Sequence, residues 1–298
     1  GPERALDTIR FALTTHRGCY GECKFCAIAV HQGRTVQNRS PGSIVREAER
    51  IASHPDFRGT IADVGGPTAN MYGFECRRKA SKGACPDKRC LYPTVCPSLG
   101  VDHGPLLDLL RQLRALPGVR KVVVASGIRH DLILADRRHG LAYLREVVRH
   151  HVSGQMKVAP EHSSPEVLAT MGKPLVDDLL AFRRLFNRLT REEGLDQYLT
   201  YYLIAAHPGC TQADMKELRA FCRRELHLLP RQVQLFTPTP CTWSTLMYWT
   251  GQNPFTGANC FVERNQAARE EQKTALTGGG RPPLLAQANR RRRDRKRK

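Results

Sequence analysis

Three cysteines, Cys19, Cys23 and Cys26, fall within the eight residues Cys19-Tyr20-Gly21-Glu22-Cys23-Lys24-Phe25-Cys26. Such crowding is poor geometry for disulfides and good geometry for metal ligation, and the total of 11 cysteines is odd. The thiols are therefore expected to stay reduced, as in a cytoplasm. Three thiolates can hold three irons of a 4Fe-4S cubane and leave the fourth iron open to an exchangeable ligand, whereas electron-transfer clusters usually take four protein thiolates. Zinc is the alternative, because Cys-x2-Cys pairs are common in zinc sites, but it needs a matching fourth ligand in a defined place.

Cys76, Cys85, Cys90 and Cys96 form a second set on one connection, residues 76–103, among Arg77, Arg78, Lys82, Lys88 and Arg89. So long a connection without secondary structure is uncommon unless something holds it together. Four thiolates could do so through zinc or a second cluster, and the nearby cations are expected to lower the thiol pKa values. Unliganded cysteines are the alternative, since the x8, x4, x5 spacing matches no standard zinc ribbon. Cys210, Cys222, Cys241 and Cys260 are scattered and read as core or incidental residues.

The elements that position these cysteines alternate. Residues 9–15, 60–64, 120–125, 155–159, 198–205 and 231–236 are short β-branched or aromatic runs bounded by Gly, Pro or polar residues, as strands are. Between them, Leu106, Leu109, Leu110 and Leu113, and again Leu179, Phe182, Phe186 and Leu189, mark one buried helical face. Thr211 with Asp214 has the form of a capping box before Met215, Leu218 and Cys222. Six strands alternating with helices imply an α/β fold with a parallel sheet, because parallel neighbours need crossover connections. Each strand is followed by glycine, proline or polar residues, and in a β/α barrel the site forms at that end.

The Cys-x3-Cys-x2-Cys spacing, with an aromatic residue just before the last cysteine, resembles the signature of the radical S-adenosylmethionine superfamily. The segments GGPTANMYGFEC (65–76), CLYPTVCPSLGVDH (90–103), VASGIRHD (124–131), KVAPEH (157–162), AAHPG (205–209) and MYWTGQNP (247–254) resemble the corresponding part of YgiQ-type proteins, over most of residues 5–256. The resemblance implies a partial (β/α)6 TIM-like barrel, one 4Fe-4S cluster on Cys19, Cys23 and Cys26, and S-adenosylmethionine on the open iron. That cofactor would be cleaved reductively to a 5′-deoxyadenosyl radical by an electron from a donor such as flavodoxin or ferredoxin. The substrate is left unknown. Phe25 is placed to pack beside adenine or cluster, with a plain core aromatic as the alternative. Gly65, Gly66 and Pro67 stand where the superfamily commonly has a Gly-Gly-Glu that meets the methionine amino group; the Glu is missing, while a backbone role for the glycines survives. Ser126, Lys157 and Glu161 are candidates for ribose and carboxylate contacts, or for structural caps and salt bridges, and His162 and His207 for facing substrate or simply being satisfied residues near turns.

Composition bounds the rest. A chain of 298 residues is long enough for one large domain. No apolar run approaches the roughly 18 to 20 residues of a membrane span, and no secretory signal is visible, so a cytoplasmic protein is expected. Residues 1–256 are expected to form the core, including the 76–103 insertion, and residues 257–298 an extension, disordered and Arg/Lys-rich from about 277. The chain opens Gly1-Pro2-Glu3, as a piece of a longer protein would, and the resemblance implies a long region ahead of it. Of the net charge of +19, residues 281–298 carry nine Lys/Arg against one Asp, leaving +11 on the body. Two competing functions follow from that charge: an iron–sulfur protein that binds nucleic acid without catalysis, or an RNA-modifying radical enzyme. Trp243, Tyr248 and Trp249 lie near the last strand but do not interleave with a long basic stripe.

Overall fold

The computed structural model describes residues 9–83, 85, 90–230 and 233–277. Its strands are β1 (Ala12–Thr14), β2 (His16–Arg17), β3 (Gln37–Asn38), β4 (Thr60–Ile61), β5 (Asp63–Gly65), β6 (Glu75–Cys76), β7 (Leu99–Gly100), β8 (Lys121–Val122), β9 (Gln155–Glu161), β10 (Tyr198–Ala205) and β11 (Gln234–Leu235). Parallel pairs join β1 to β5, β4 to β8, β9 to β10 and β10 to β11. Backbone bonds link the remaining neighbours. The Val64 amide donates to the Val123 carbonyl (2.9 Å), and the Ile128 amide donates to the Lys157 carbonyl (2.9 Å) beside a parallel bridge from Ile128 to Val158. The six expected strand regions thus lie side by side in chain order, each followed by a crossover that returns the chain to the same starting edge. Among the described residues no pairing joins β1 to β11, so the α/β arrangement is open.

Helices bury one face each against these strands. Gly104–Arg114 buries Leu106, Leu109, Leu110 and Leu113, and Asp177–Glu192 buries Leu179, Phe182, Phe186 and Leu189, as the spacing predicts. The capping box opens Gln212–Phe221: the Thr211 amide donates to Asp214 Oδ2 (2.8 Å) and the Asp214 amide to Thr211 Oγ1 (3.3 Å).

The connection 76–103 departs from expectation. It is not structureless, because β6 and β7 pair antiparallel with Cys76 opposite Leu99, and Arg77–Lys82 is helical. Beyond residue 256, helix Gln266–Thr277 buries Leu276 in the main core, and its Gln272 accepts from the Ala206 amide (2.9 Å) and donates to the Cys210 carbonyl (3.2 Å). The Arg/Lys-rich tail, Lys88, Arg89 and the first residues of the last expected strand lie outside the described residues. No helix among the described residues is long and apolar enough to cross a membrane.

The cysteine loop leaves β2 through Gly18, whose φ of 81° suits glycine and strains other residues. A Cβ there would sit 2.1 Å from the Thr35 carbonyl oxygen, while the next residue, Cys19, donates its amide to the Gly33 carbonyl (3.1 Å). Gly18→Ala is therefore expected to destabilise the protein by roughly 2–4 kcal/mol, combining backbone strain with overpacking, and to open the loop to protease. Thermal denaturation beside limited proteolysis measures both; an unchanged melting temperature and cleavage pattern would refute the close approach.

Candidate metal and cofactor site

Cys19, Cys23 and Cys26 are free and half-buried. Cys19 Sγ lies 3.7 Å from the Thr68 hydroxyl and 3.8 Å from Met71 Sδ, and accepts from the Gly21 amide (3.3 Å). The Cys26 amide donates to the Cys23 carbonyl (3.0 Å) in a tight turn. Distant elements fix the other side of the loop: the Lys24 amide donates to the Met171 carbonyl (2.9 Å), the Ser244 amide to the Lys24 carbonyl (2.9 Å) and the Thr239 hydroxyl to the Phe25 carbonyl (3.3 Å). Burial pushes the Cys19 thiol up and the neighbouring Cys23 adds to it; burial likewise pushes Cys26 up to about 11, with Cys23 and Cys19 contributing. Thiols coupled in this way share one small space. Cys19 and Cys26 therefore stay protonated at neutral pH. Among the described residues no three Cys, His, Asp or Glu side chains converge on a single ion position. Three thiols on one short loop are donors of the kind that an iron–sulfur cubane takes, each thiolate on a different iron.

Beside the thiols sits Arg129, which sequence reasoning missed although it lies within VASGIRHD. Its guanidinium is buried and bidentate on Asp131, with Nε donating to Oδ1 (2.8 Å) and Nη2 to Oδ2. Burial alone would lower the Arg129 pKa; Asp131 overrides it, and Cys23 and Cys19 add to the upward direction. Asp131 is held at about 2 against its own burial, chiefly by Arg129. Asn70 clamps the Arg129 backbone by accepting from its amide (2.9 Å) and donating to its carbonyl (3.0 Å). Asn70 Nδ2 also lies 3.1 Å from His103 Nε2, and Asp136 accepts from both the amide (2.7 Å) and Nδ1 (2.8 Å) of His103. Three of the segments that carry the family resemblance, 65–76, 90–103 and 124–131, thereby meet in one buried network. The signal available in advance was the i, i+2 alternation of Arg129 and Asp131, which gives no hint of Asn70.

Glu161 ends β9 with a φ of 70°, and its carboxylate lies 3.7 Å from Lys173 Nζ, both groups buried. Burial raises its pKa against the pull of Lys173 and Arg129. Such backbone strain in a non-glycine residue is often stored at functional sites. Gly66 packs against His16, since a Cβ there would fall 2.6 Å from His16 Nε2. Gly65 gives its carbonyl to the Thr15 amide (2.8 Å). Ser126 is engaged by Asp63: its hydroxyl donates to Oδ2 and its amide to Oδ1 (3.1 Å). Lys157 and Pro67 are half-buried, and Phe25 packs on the core with its ring edge-on to His207 (6.1 Å between centroids). His162 and His207, considered as substrate-facing, are instead buried and partnered. His162 Nδ1 accepts from the Ser164 amide (3.0 Å), and His207 places Nε2 2.7 Å from the Ser244 hydroxyl and Nδ1 2.8 Å from the Pro208 carbonyl.

Three cysteines of the second set, Cys76, Cys90 and Cys96, are linked through the backbone. The Cys96 amide donates to the Cys90 carbonyl (2.8 Å) and the Leu99 amide, opposite Cys76, to the Cys96 carbonyl (2.9 Å). The expected lowering by nearby cations is not what happens at Cys90. Burial pushes it up to about 11, and Cys96, Cys76 and Cys85 each add to the rise.

Comparison with known proteins agrees with the resemblance. A UPF0313 protein of Fusobacterium nucleatum is 53% identical over 277 residues, covering 93% of this chain and 49% of the relative. One of Methanosarcina mazei is 49% identical over 275 residues, covering 92% and 43%. Residues 231–278 match a domain of unknown function, DUF3362. Among solved structures, the cobalamin-dependent S-adenosylmethionine radical enzyme OxsB superposes with a TM-score of 0.49 at 18% identity, covering 79% of this chain and 29% of OxsB. The radical S-adenosylmethionine methyltransferase TsrM from Kitasatospora setae gives 0.48 at 16%, covering 80% and 38%. Scores below 0.5 assign neither reaction nor cofactor. The chain is similar to these UPF0313 proteins over nearly all of its own length, and it spans about half the length of the curated relatives it matches.

Four buried histidines of this region set an acid limit. Burial holds His16, His130 and His162 at about 4 and His207 at about 3. An unfolded histidine titrates near 6.5, so below that pH the unfolded chain takes up protons that the folded protein refuses. The stabilisation is complete above about pH 6.5 and is lost as pH falls toward 4, each imidazole contributing up to about 1.4 kcal/mol per pH unit. Urea midpoints should drop steeply between about pH 6.5 and pH 4.5; a flat profile would mean these rings are solvated.

Proposed function

We propose that this chain carries the radical-generating part of an enzyme in which Cys19, Cys23 and Cys26 bind a 4Fe-4S cluster and S-adenosylmethionine occupies the iron they leave open. One observation carries the reading: three free thiols grouped on one loop against the buried cation Arg129. When bound, the cluster would supply the electron that splits S-adenosylmethionine into methionine and a 5′-deoxyadenosyl radical. In this reading the parallel strands are a partial (β/α)6 TIM-like barrel with its site at their C-terminal ends. Arg129 offsets the negative charge of the thiolates. Glu161, kept beside Lys173 and close enough to Cys26 to influence its thiol, replaces the missing Glu of the glycine loop as partner for the methionine ammonium. Pro67 and Lys157 border the same end, and Phe25 contributes an apolar wall. Ser126 acts through Asp63 and not by direct contact. An external donor such as flavodoxin or ferredoxin delivers the electron.

A cavity of about 540 Å³ beside the loop is walled by Tyr92, Trp243 and Phe255, with Lys24 over the Phe255 ring (4.1 Å to the centroid) and Arg34 at its edge. Aromatic walls with cations suit a planar base, which supports an RNA or other nucleobase-bearing substrate over a purely aliphatic one.

Changing Cys19, Cys23 and Cys26 to Ala should remove about four irons per chain and abolish the slow formation of 5′-deoxyadenosine expected under reducing, oxygen-free conditions. Glu161→Gln should keep that iron yet weaken S-adenosylmethionine binding at least tenfold, since a charge-assisted contact is lost. Iron and sulfide analysis, product chromatography and spectroscopic titration separate the two effects. A cluster-loaded protein whose spectrum ignores S-adenosylmethionine would overturn the enzymatic reading.

A further inference from the structure

We propose that the cavity between residues 95–102 and the turn 135–139 binds a phosphate-bearing ligand, at a site apart from the cysteine loop. The cavity measures about 620 Å³, a size that suits a small organic molecule. Arg77, Arg137 and Arg138 line it, and Val95, Leu99 and Leu134 give it apolar walls. Asp102 is the carboxylate among its lining residues, and it is already engaged: Oδ1 lies 2.6 Å from His139 Nδ1 and accepts from the Gly104 amide (2.8 Å). Three cations around one cavity repel each other, and an anion placed among them reverses that cost.

The backbone holds these arginines in place before any ligand binds. Arg137 and Arg138 sit on the turn between helices His130–Ala135 and Gly140–Glu146. Buried Asp136 pins that turn: Oδ1 accepts from the Arg138 amide (3.0 Å) and the His139 amide (2.9 Å), and Oδ2 accepts from the His103 amide (2.7 Å). Gly140 closes it tightly, since a Cβ there would fall 2.2 Å from the Ile133 carbonyl oxygen. Both arginines are exposed, and among the described residues their side chains have no hydrogen-bond or ion-pair partner. Arg77 donates from Nη2 to the Pro97 carbonyl (3.0 Å), which leaves its other donors available. A neutral ligand would leave the three charges unbalanced, and a cation would add to them. A phosphate monoester brings roughly two negative charges at neutral pH and three acceptor oxygens, more than a carboxylate offers, and the guanidinium fork matches it bidentately. Its organic part would rest on Leu99 and Leu134.

Isothermal titration calorimetry of the full chain with pyrophosphate, with ADP and with a short oligouridylate tests the site, and needs neither cluster nor S-adenosylmethionine. The Arg-rich run 290–298 attracts phosphate in every sample, so the comparison is between proteins that share it. Arg137→Gln combined with Arg138→Gln should weaken the tightest probe at least tenfold, since two charge-assisted contacts are lost. The melting temperature should not change, because both side chains are exposed. Asp102→Asn should act in the opposite direction and tighten binding severalfold, as it removes a negative charge and keeps the shape. ADP binding more tightly than pyrophosphate would identify a free ligand whose organic part uses the apolar walls. An oligouridylate binding tightest, with the steepest salt dependence, would identify the phosphates of a nucleic-acid backbone. Equal affinity of the double variant and the unmutated protein for all three probes, or no binding of any of them, would overturn the proposal.

Discussion

A guanidinium buried without a partner would cost several kcal/mol, a large share of the margin by which a domain is stable. Arg129 escapes that cost only because Asp131 meets it bidentately and Asn70 fixes its backbone from both sides. The arrangement commits three separate chain segments to one geometry. Asn70 comes from the loop after β5, His103 from the end of the cysteine-rich connection, Arg129 from the end of the loop after β8 and Asp131 from the first turn of the helix His130–Ala135 that follows it. Each of these loops could move alone in a fold of short strands. Tied to one buried charge, they hold a cation near Cys19 and Cys23, where it would offset the negative charge of thiolates in the proposed site.

The same logic explains why the two cysteine sets lie so near each other. Tyr20 follows Cys19 directly, donates its hydroxyl to the Phe74 carbonyl (3.1 Å), and is pushed up to about 12 mainly by burial and then by Cys76 and Cys90. One residue therefore borders both sets. The apolar cluster around it is small and separate from the main core, and a small core supplies little stability by itself. Ordering the connection 76–103 consequently braces the wall against which Cys19 packs.

How much of this was legible beforehand depended on whether a residue's role is local. The helix faces of Leu106 to Leu113 and Leu179 to Leu189 and the capping box at Thr211 follow from spacing within one element, and each reads directly. Both cysteine sets were legible by type, because thiols in such numbers have few other uses. Arg129, Asn70 and His103 were not, since their partnership exists only after segments 33 and 59 residues apart have met. His162 and His207 show the opposite difficulty: a polar residue after a strand looks the same whether it faces a cavity or turns inward to a backbone group. Ser126 stands at the expected strand end, yet its hydroxyl is taken by Asp63, a partner that sequence position cannot indicate.

The buried histidines complete the electrical picture of the site. His130 is lowered first by burial, and Arg129 and Lys173 oppose its protonation further, while Asp131 only partly compensates. A proton on His130 would add a third cation to a region already holding two, so those cations help keep the imidazole neutral. His16, His162 and His207 stay neutral mainly through burial. Around the thiols Arg129 is thus paired with Asp131 and Lys173 lies beside Glu161, while the neighbouring imidazoles stay neutral at neutral pH.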